Sequence, residues 1–150
     1  HLSSLNELQC LLISYASING AGFASFGEPE TLKQISLKST DLTDAGVANL
    51  ARFSVLEEVG LNGNHRLTNE SIRHLSQIKT LKTISAMNTN INDDALIYLS
   101  DMPNLSHLRG FHVPTRFPAG KVPLPPNAMP FRGRIKRAAS GAESAGSPRP

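Results

Sequence analysis

The feature that most constrains this chain is a hydrophobic pattern that recurs about every 24 residues. The clearest copy is LKQISLKSTDLTDAGVANLARF, at residues 32–53. Shifts of 24 residues towards either end bring other apolar residues onto the same positions, provided that one residue is treated as inserted in the third copy. Periodicity of this length predicts a fold made of stacked copies of one unit. The first column of the pattern holds Leu8, Leu32, Leu56, Leu81 and Leu105.

Each copy contains two shorter periodicities. In the clearest copy, Leu32, Ile35 and Leu37 are predicted to point inwards and the residues between them outwards, which indicates one short strand. Further on, Val47, Leu50 and Phe53 recur at intervals of three, the spacing of a helical stripe. Small polar residues precede each stripe and predict helix N-caps. They are Asn19-Gly20, Thr43-Asp44, Thr68-Asn69 and Asn92-Asp93.

A strand, a turn and a helix in 24 residues cannot close a core alone, whereas stacked copies can. We therefore expect parallel strands on a concave face and short helices on a convex face. After the strand, Thr40, Asn64 and Thr89 form a polar column, with Ala16 at this position in the first full copy, and predict hydrogen bonds between adjacent turns. The inserted residue lies within residues 63–66 and is expected to bulge from a loop.

The pattern L-x-x-L-x-L-x-x-[TN]-x-[LI]-[TN]-[DN], seen at residues 32–44, resembles the leucine-rich repeat family. The run LTDAGVANLARFSVLEEVGL looks like the subclass found in F-box substrate adaptors and in many bacterial proteins. The resemblance implies an α/β fold, the right-handed β-α superhelix of a leucine-rich-repeat solenoid. The chain departs from the family at Ala86, at Gly110 and in lacking the adaptor subclass's turn cysteine. Because no F-box sequence is present either, a ubiquitin-ligase role is not supported.

Two parts of the chain are predicted. Residues 1–113 form the solenoid, with about four to five repeats. Residues 1–7 are interpreted as the end of a truncated repeat or, alternatively, as a capping helix. Residues 114–150 are rich in proline and basic residues and are predicted to be mostly disordered. An alternative has apolar residues of the 115–131 stretch cover the open end of the core, namely Phe117, Val122, Leu124, Met129 and Phe131.

Charge separates these two parts of the chain. Residues 1–114 carry 8 Lys/Arg and 11 Asp/Glu, whereas residues 115–150 carry 7 Lys/Arg and one acid. The tail cluster is predicted to contact an anion, such as nucleic acid or an acidic membrane surface, or else to be a solvated tail. It consists of Arg132, Arg134, Lys136 and Arg137.

The sequence predicts no catalytic residue, no cofactor and no metal site. The positions of the histidines in the repeat pattern do not place three of them together at a metal site. No nucleophile elbow or glycine-rich phosphate loop occurs. The acidic pair Asp93-Asp94 is interpreted as a helix start, where carboxylates suit the helix dipole. With one cysteine, Cys10, no intramolecular disulfide forms. The localisation is unknown, with the cytoplasm favoured because neither a signal peptide nor a transmembrane segment is visible.

Function is expected on the concave strand face. The predicted function is non-catalytic recognition of a protein partner of unknown identity. One alternative is a structural segment of a longer multidomain protein, and another is anion binding by the basic tail. Recognition is expected mainly between Met87 and Phe111, although Phe111 alternatively packs on the end of the core. The predicted partner-binding residues are Lys38, Glu58, Asn62, Thr83, Met87, His107, Arg109 and Phe111.

Overall fold

A computed structural model describes residues 7–27, 30–112 and 116–123. The strands are β1 (Cys10–Ser14), β2 (Gln34–Lys38), β3 (Glu58–Gly60), β4 (Thr83–Ser85) and β5 (His107–Arg109). The α-helices are α1 (Asp44–Ala48) and α2 (Asn69–Leu75). Short 3₁₀-helices span Ala21–Ser25, Asn49–Arg52 and Asp93–Leu99. None of the helices in these ranges is long and apolar enough to cross a membrane.

The five strands form one parallel sheet in the order β1-β2-β3-β4-β5. The register follows the period of the sequence, because Cys10 pairs with Gln34 and Gln34 pairs with Glu58. Glu58 then pairs with Thr83, one residue further along, which absorbs the inserted residue. The predicted α/β class with parallel strands is confirmed.

The core lies on one side of the sheet, where the strands meet the helices. Ile35 and Leu37 of β2 are 1% and 0% exposed, as their alternation with polar residues predicts. Val47, Leu50 and Phe53 are buried as well, so the predicted helical stripe faces the same core. Burying one such side chain contributes about 1.5–3 kcal/mol, so these columns supply most of the favourable hydrophobic free energy of folding.

Three of the four predicted N-caps are confirmed as side-chain caps. Before Ala21–Ser25 the N-cap is Gly20, which makes no side-chain cap, and the Asn19 side chain accepts from the Ala21 N–H instead. The Thr43 hydroxyl accepts a hydrogen bond from the backbone N–H of Gly46 at the start of α1. At α2, Thr68 accepts from the Glu70 N–H. Before the last 3₁₀-helix, Asn92 accepts from the Asp94 N–H. Each cap satisfies one of the helix-start N–H groups that have no partner within the helix.

The polar column forms the predicted hydrogen bond between Thr40 and Asn64, but not between Asn64 and Thr89. Asn64, only 1% exposed, accepts hydrogen bonds from the Thr40 N–H and hydroxyl at 3.0 and 2.8 Å. Thr89 instead donates within its own turn, to the Ala86 carbonyl. The inserted residue falls at His65-Arg66, both of which are exposed in a turn, in agreement with the predicted bulge.

Asp44 joins α1 to α2 in a way that the sequence analysis missed. Its carboxylate accepts from the Thr68 N–H at 3.0 Å, from the Thr68 hydroxyl at 2.7 Å and from the buried Ser71 hydroxyl. Burial raises the pKa of Asp44, but the hydrogen bonds from Ser71 and Thr68 outweigh it, and the pKa is lowered overall. The ionised carboxylate is therefore part of the contact between the two helices.

The effect of Asp44 on stability is expected to depend on pH. Its folded-state pKa lies below the unfolded value of about 3.9. The carboxylate therefore stabilises the fold above that pH, and this contribution is lost as the pH falls through the folded-state pKa. Asp44→Asn should lower the free energy of unfolding by about 1–2 kcal/mol at pH 7. Urea denaturation at a series of pH values should show this difference shrinking in acid.

Asp94→Asn is the matched control for Asp44. Asp94 lies at the start of the last 3₁₀-helix, where its side chain is exposed. The same change of charge there is expected to alter stability by less than about 0.5 kcal/mol. Equal effects of the two substitutions at pH 7 would show that the Asp44 contacts contribute nothing beyond surface charge.

The C-terminal end of the sheet is covered by part of the tail. Arg116 forms an antiparallel bridge with His107, and the Phe117 N–H donates to the Ser106 carbonyl at 3.0 Å. The side chains of Phe117 and Val122 are partly buried against the core. These contacts agree with the alternative in which this stretch covers the open end. Leu124, Met129 and Phe131 lie outside the described residues.

Candidate interaction surface

The side chains that alternate with the core residues form the second face of the sheet, which we call the open face. Along β2 and β3, Gln34, Ser36 and Gly60 are half-buried, while Lys38 and Glu58 are exposed. This face therefore remains accessible to solvent along the sheet. Its residues come from alternate positions of all five strands, so the strand register sets their spacing.

A depression of about 200 Å³ lies at the middle of the open face. Its floor is at Gly60, where the central strand has no side chain. A Cβ atom added there would lie 3.0 Å from the Ser36 hydroxyl, so a larger residue would fill the gap. The lining is mainly hydroxyl, amide and charged groups, from Gln34, Ser36, Glu58, Asn62, Thr83, Ser85 and Arg109, together with backbone at Ile35, Val59 and Gly60.

Four of the predicted partner-binding residues line this depression. They are Glu58, Asn62, Thr83 and Arg109. Lys38 and Met87 are exposed on the same face but outside the depression, and Met87 is 45% exposed. His107 is half-buried on β5. Gly60 was not among the predicted site residues, although its position in the middle of the aligned strand rows was the available signal.

Asn62 has a structural task in addition to its place in the lining. Its side-chain oxygen accepts from the Ser85 hydroxyl and from the Met87 N–H, both at 2.8 Å. These bonds fix the turn that follows β4 to the turn that follows β3. The side chain therefore supports the wall of the depression, and its carbonyl oxygen is already engaged.

The prediction that Phe111 is exposed on this face is wrong. Phe111 is 9% exposed and packs with the core. The strand alternation ends at Arg109, because Gly110 has a φ of 95° and turns the chain. A Cβ atom on Gly110 would approach the Ala86 carbonyl carbon to 2.6 Å, so glycine permits both the turn and the close contact. Phe111 thereby packs on the end of the core, the alternative given by the sequence.

The ion pairs Lys82–Glu57 and Arg73–Glu70 lie off the open face. Lys82 Nζ lies 2.7 Å from the Glu57 carboxylate and lowers the pKa of Glu57 through this hydrogen bond. On the helical side, Arg73 and Glu70 form an exposed pair at 2.7 Å. Both are surface ion pairs that stabilise the fold little. Glu58 and Arg109, by contrast, form no ion pair with any described residue.

The histidines are dispersed over the fold. His65 lies in a turn, His74 on α2, and His112 contacts the Asp93 carboxylate at 3.1 Å. His107 Nδ1 is 2.9 Å from the Ser106 hydroxyl, but no described carboxylate bonds to its other ring nitrogen. Within residues 7–27, 30–112 and 116–123, no group of three His, Cys, Asp or Glu side chains is placed to hold a metal ion. What the depression on the open face offers is hydrogen-bonding groups and the charges of Glu58 and Arg109.

A scan against protein-family models found no match, and a search of curated proteins also found none. Neither comparison therefore assigns a family or an activity to this chain. The tail cluster of Arg132, Arg134, Lys136 and Arg137 lies outside the described residues.

Proposed function

We propose that this chain is a short leucine-rich-repeat solenoid, with the open face as its concave surface. The support is physical. The strands pair in chain order at an offset equal to the 24-residue period, and the one inserted residue shifts a single pairing. The polar side chains at equivalent turns and helix starts also bond from one copy to the next, as between Thr40 and Asn64. Contacts between neighbouring copies are what stabilise a stack of repeated units.

On this architecture, we propose that the chain binds a protein partner on the open face and catalyses no reaction. The depression at Gly60 carries the proposal. It is an accessible recess lined by hydroxyl and amide groups, with the unpaired charges of Glu58 and Arg109 at its edge. A recess that receives a side chain, surrounded by oriented polar groups, is how a protein surface positions a partner.

An exchange of the two charges tests this function. The double variant Glu58→Arg/Arg109→Glu keeps the net charge and composition but inverts the charge pattern of the open face. Proteins captured from a cell extract by the wild-type chain and compared by quantitative mass spectrometry should include at least one that the variant loses. The loss is expected to be at least tenfold, because misplaced like charges oppose binding.

The matched control is the exchange Glu70→Arg/Arg73→Glu on α2. It alters the same residue types on the helical side of the fold, where both side chains are about half exposed. Circular dichroism should show that both double variants fold. A partner lost by both variants would be bound elsewhere, and a capture profile unchanged by the first exchange would reject the open face as the binding surface.

A second candidate is a structural segment of a longer multidomain protein, and the state of β1 favours it. Leu11 and Ile13 are only partly buried, whereas the aligned Ile35 and Leu37 are 1% and 0% exposed. On the other face of the same strand, Leu12 is 64% exposed. Cover from a further polypeptide segment would complete the burial of β1. Hydrogen exchange of the β1 amides, compared with those of β2, measures how incomplete that burial is.

A further inference from the structure

Three basic residues meet at the C-terminal end of the open face. His107 and Arg109 are two residues apart on β5, so their side chains share a face of the sheet. Arg116 is paired directly with His107 in the antiparallel bridge, which places its side chain on that same face. Across such a bridge, Arg109 and Arg116 are diagonal neighbours, whose Cα atoms lie about 7–8 Å apart. We call these three residues the basic cluster.

The basic cluster is not neutralised by the described parts of the chain. Neither Arg109 nor Arg116 forms an ion pair with a described carboxylate, and both are exposed. The acid nearest along the chain, Asp101, is exposed and forms no ion pair with a described residue. Asp93, earlier in the chain, has its carboxylate bonded to His112. Two neighbouring guanidinium groups that repel each other and lack a counter-charge are suited to an external anion.

Arg109 connects the basic cluster to the depression. Its side chain lines the recess together with Ser36 and Thr83, whose hydroxyls donate to no described residue, and with Ser85, whose hydroxyl already donates to Asn62. A carboxylate held by Arg109 would therefore lie over the gap at Gly60. Since guanidinium and carboxylate match each other in bidentate geometry, this arrangement favours an acidic side chain entering the recess.

We infer that the partner presents an extended acidic segment, with one carboxylate in the recess at Arg109 and another at Arg116. This inference rests on the proposed function, since it names the chemistry of the partner of the same face. Glu58 lies on the far side of the recess and opposes a second carboxylate there. The acidic segment therefore runs from the recess towards β5 and residue 116, and Glu58 limits how far it extends in the other direction.

Fluorescence anisotropy with a labelled peptide of alternating Glu and Ser residues tests the inference. The protein is the full chain with the tail changed by Arg132→Gln, Arg134→Gln, Lys136→Gln and Arg137→Gln, so that the tail contributes no charge from that cluster. We expect binding that weakens with salt. Arg109→Gln/Arg116→Gln should weaken it at least tenfold, and Glu58→Gln should tighten it about threefold. Arg73→Gln, on α2, is the matched control and should leave the affinity unchanged.

The peptide with Gln in place of Glu, and a single-stranded oligonucleotide of the same length, are the competing ligands. The inference is overturned if the Glu peptide does not bind at low salt, or binds the double arginine variant equally well. Tighter binding of the oligonucleotide than of the Glu peptide, lost in the same variant, overturns it in favour of nucleic acid. If the charge exchange abolishes partner capture while the arginine variant leaves peptide binding unchanged, the inference fails and the proposed function stands. If the charge exchange leaves partner capture unchanged, the proposed function itself is rejected.

Discussion

Asn64→Leu is expected to lower the free energy of unfolding by about 4 kcal/mol. The Asn64 side chain is 1% exposed and bonds in four directions. Its oxygen accepts from the Thr40 N–H and hydroxyl, and its amide donates to the Leu37 and Leu61 carbonyls at 2.6 and 2.8 Å. Leucine has a similar volume but satisfies none of these groups.

The size of this effect follows from the groups left behind. A buried N–H or C=O without a partner costs about 1–3 kcal/mol, and Asn64 satisfies three such backbone groups besides the Thr40 hydroxyl. Part of the cost is offset by the apolar surface that leucine buries. Asn64→Asp should be at least as damaging, because it removes both donors and places a charge in a buried site. Urea denaturation monitored by circular dichroism measures both variants.

Asn104→Leu is the matched control for Asn64. Asn104 is exposed and donates one hydrogen bond, to the Lys79 carbonyl at 2.9 Å. Its replacement is expected to cost less than about 1 kcal/mol. If Asn64→Leu were no more harmful than Asn104→Leu, the buried amide would not hold adjacent turns together.

The parts of the fold that could be predicted are those that depend on residue type alone. Alternation in β2, the stripe of Val47, Leu50 and Phe53, and the caps at Thr43, Thr68 and Asn92 each follow from local chemistry. They need only the pattern within one copy. The Thr40–Asn64 bond was predicted because the period placed the two residues in one column.

The features that were missed depend on neighbours from other copies. In four successive copies, a residue with a positive φ follows the strand. Three of these residues are Tyr15, Ser39 and Asn88, so only Gly63 could be expected in this conformation from its residue type. The Asp44 contact likewise needs the start of α2 to lie beside that of α1. The positive-φ residues and the Asp44 contact both depend on how one copy packs against the next. The sequence of a single copy does not contain that information.

The candidate site was predicted in part for the same reason. The positions of Glu58, Thr83 and Arg109 on the open face follow from strand phase. The depression is different, because it arises from the absence of a side chain at Gly60 between longer neighbours. Phe111 was misplaced because the phase was continued through Gly110, where the chain turns. Strand phase holds only as long as the backbone remains extended.

Gly46→Ala is expected to destabilise the fold by about 3 kcal/mol, although glycine to alanine in a helix ordinarily stabilises by about 1 kcal/mol. Gly46 is a buried residue of α1. An alanine Cβ would lie 2.1 Å from the Asn19 carbonyl oxygen and 2.9 Å from the Gly20 Cα atom. Both are backbone atoms and cannot rotate away. The Asn19 carbonyl also accepts from the Thr43 hydroxyl, so displacing it disturbs the cap of α1.

Gly22→Ala is the matched control, because it makes the same change in the 3₁₀-helix that follows Gly20. Apart from its own local backbone, no atom lies within 4 Å of the position that its Cβ would occupy. This substitution is expected to stabilise by about 0.4–1 kcal/mol, through the lower entropy of the unfolded chain. Thermal unfolding should therefore show shifts of opposite sign for the two alanine variants. Shifts of the same sign would mean that the first helical segment and α1 do not approach closely at Gly20 and Gly46, and that the contact between these copies is looser than the register of β1 with β2 implies.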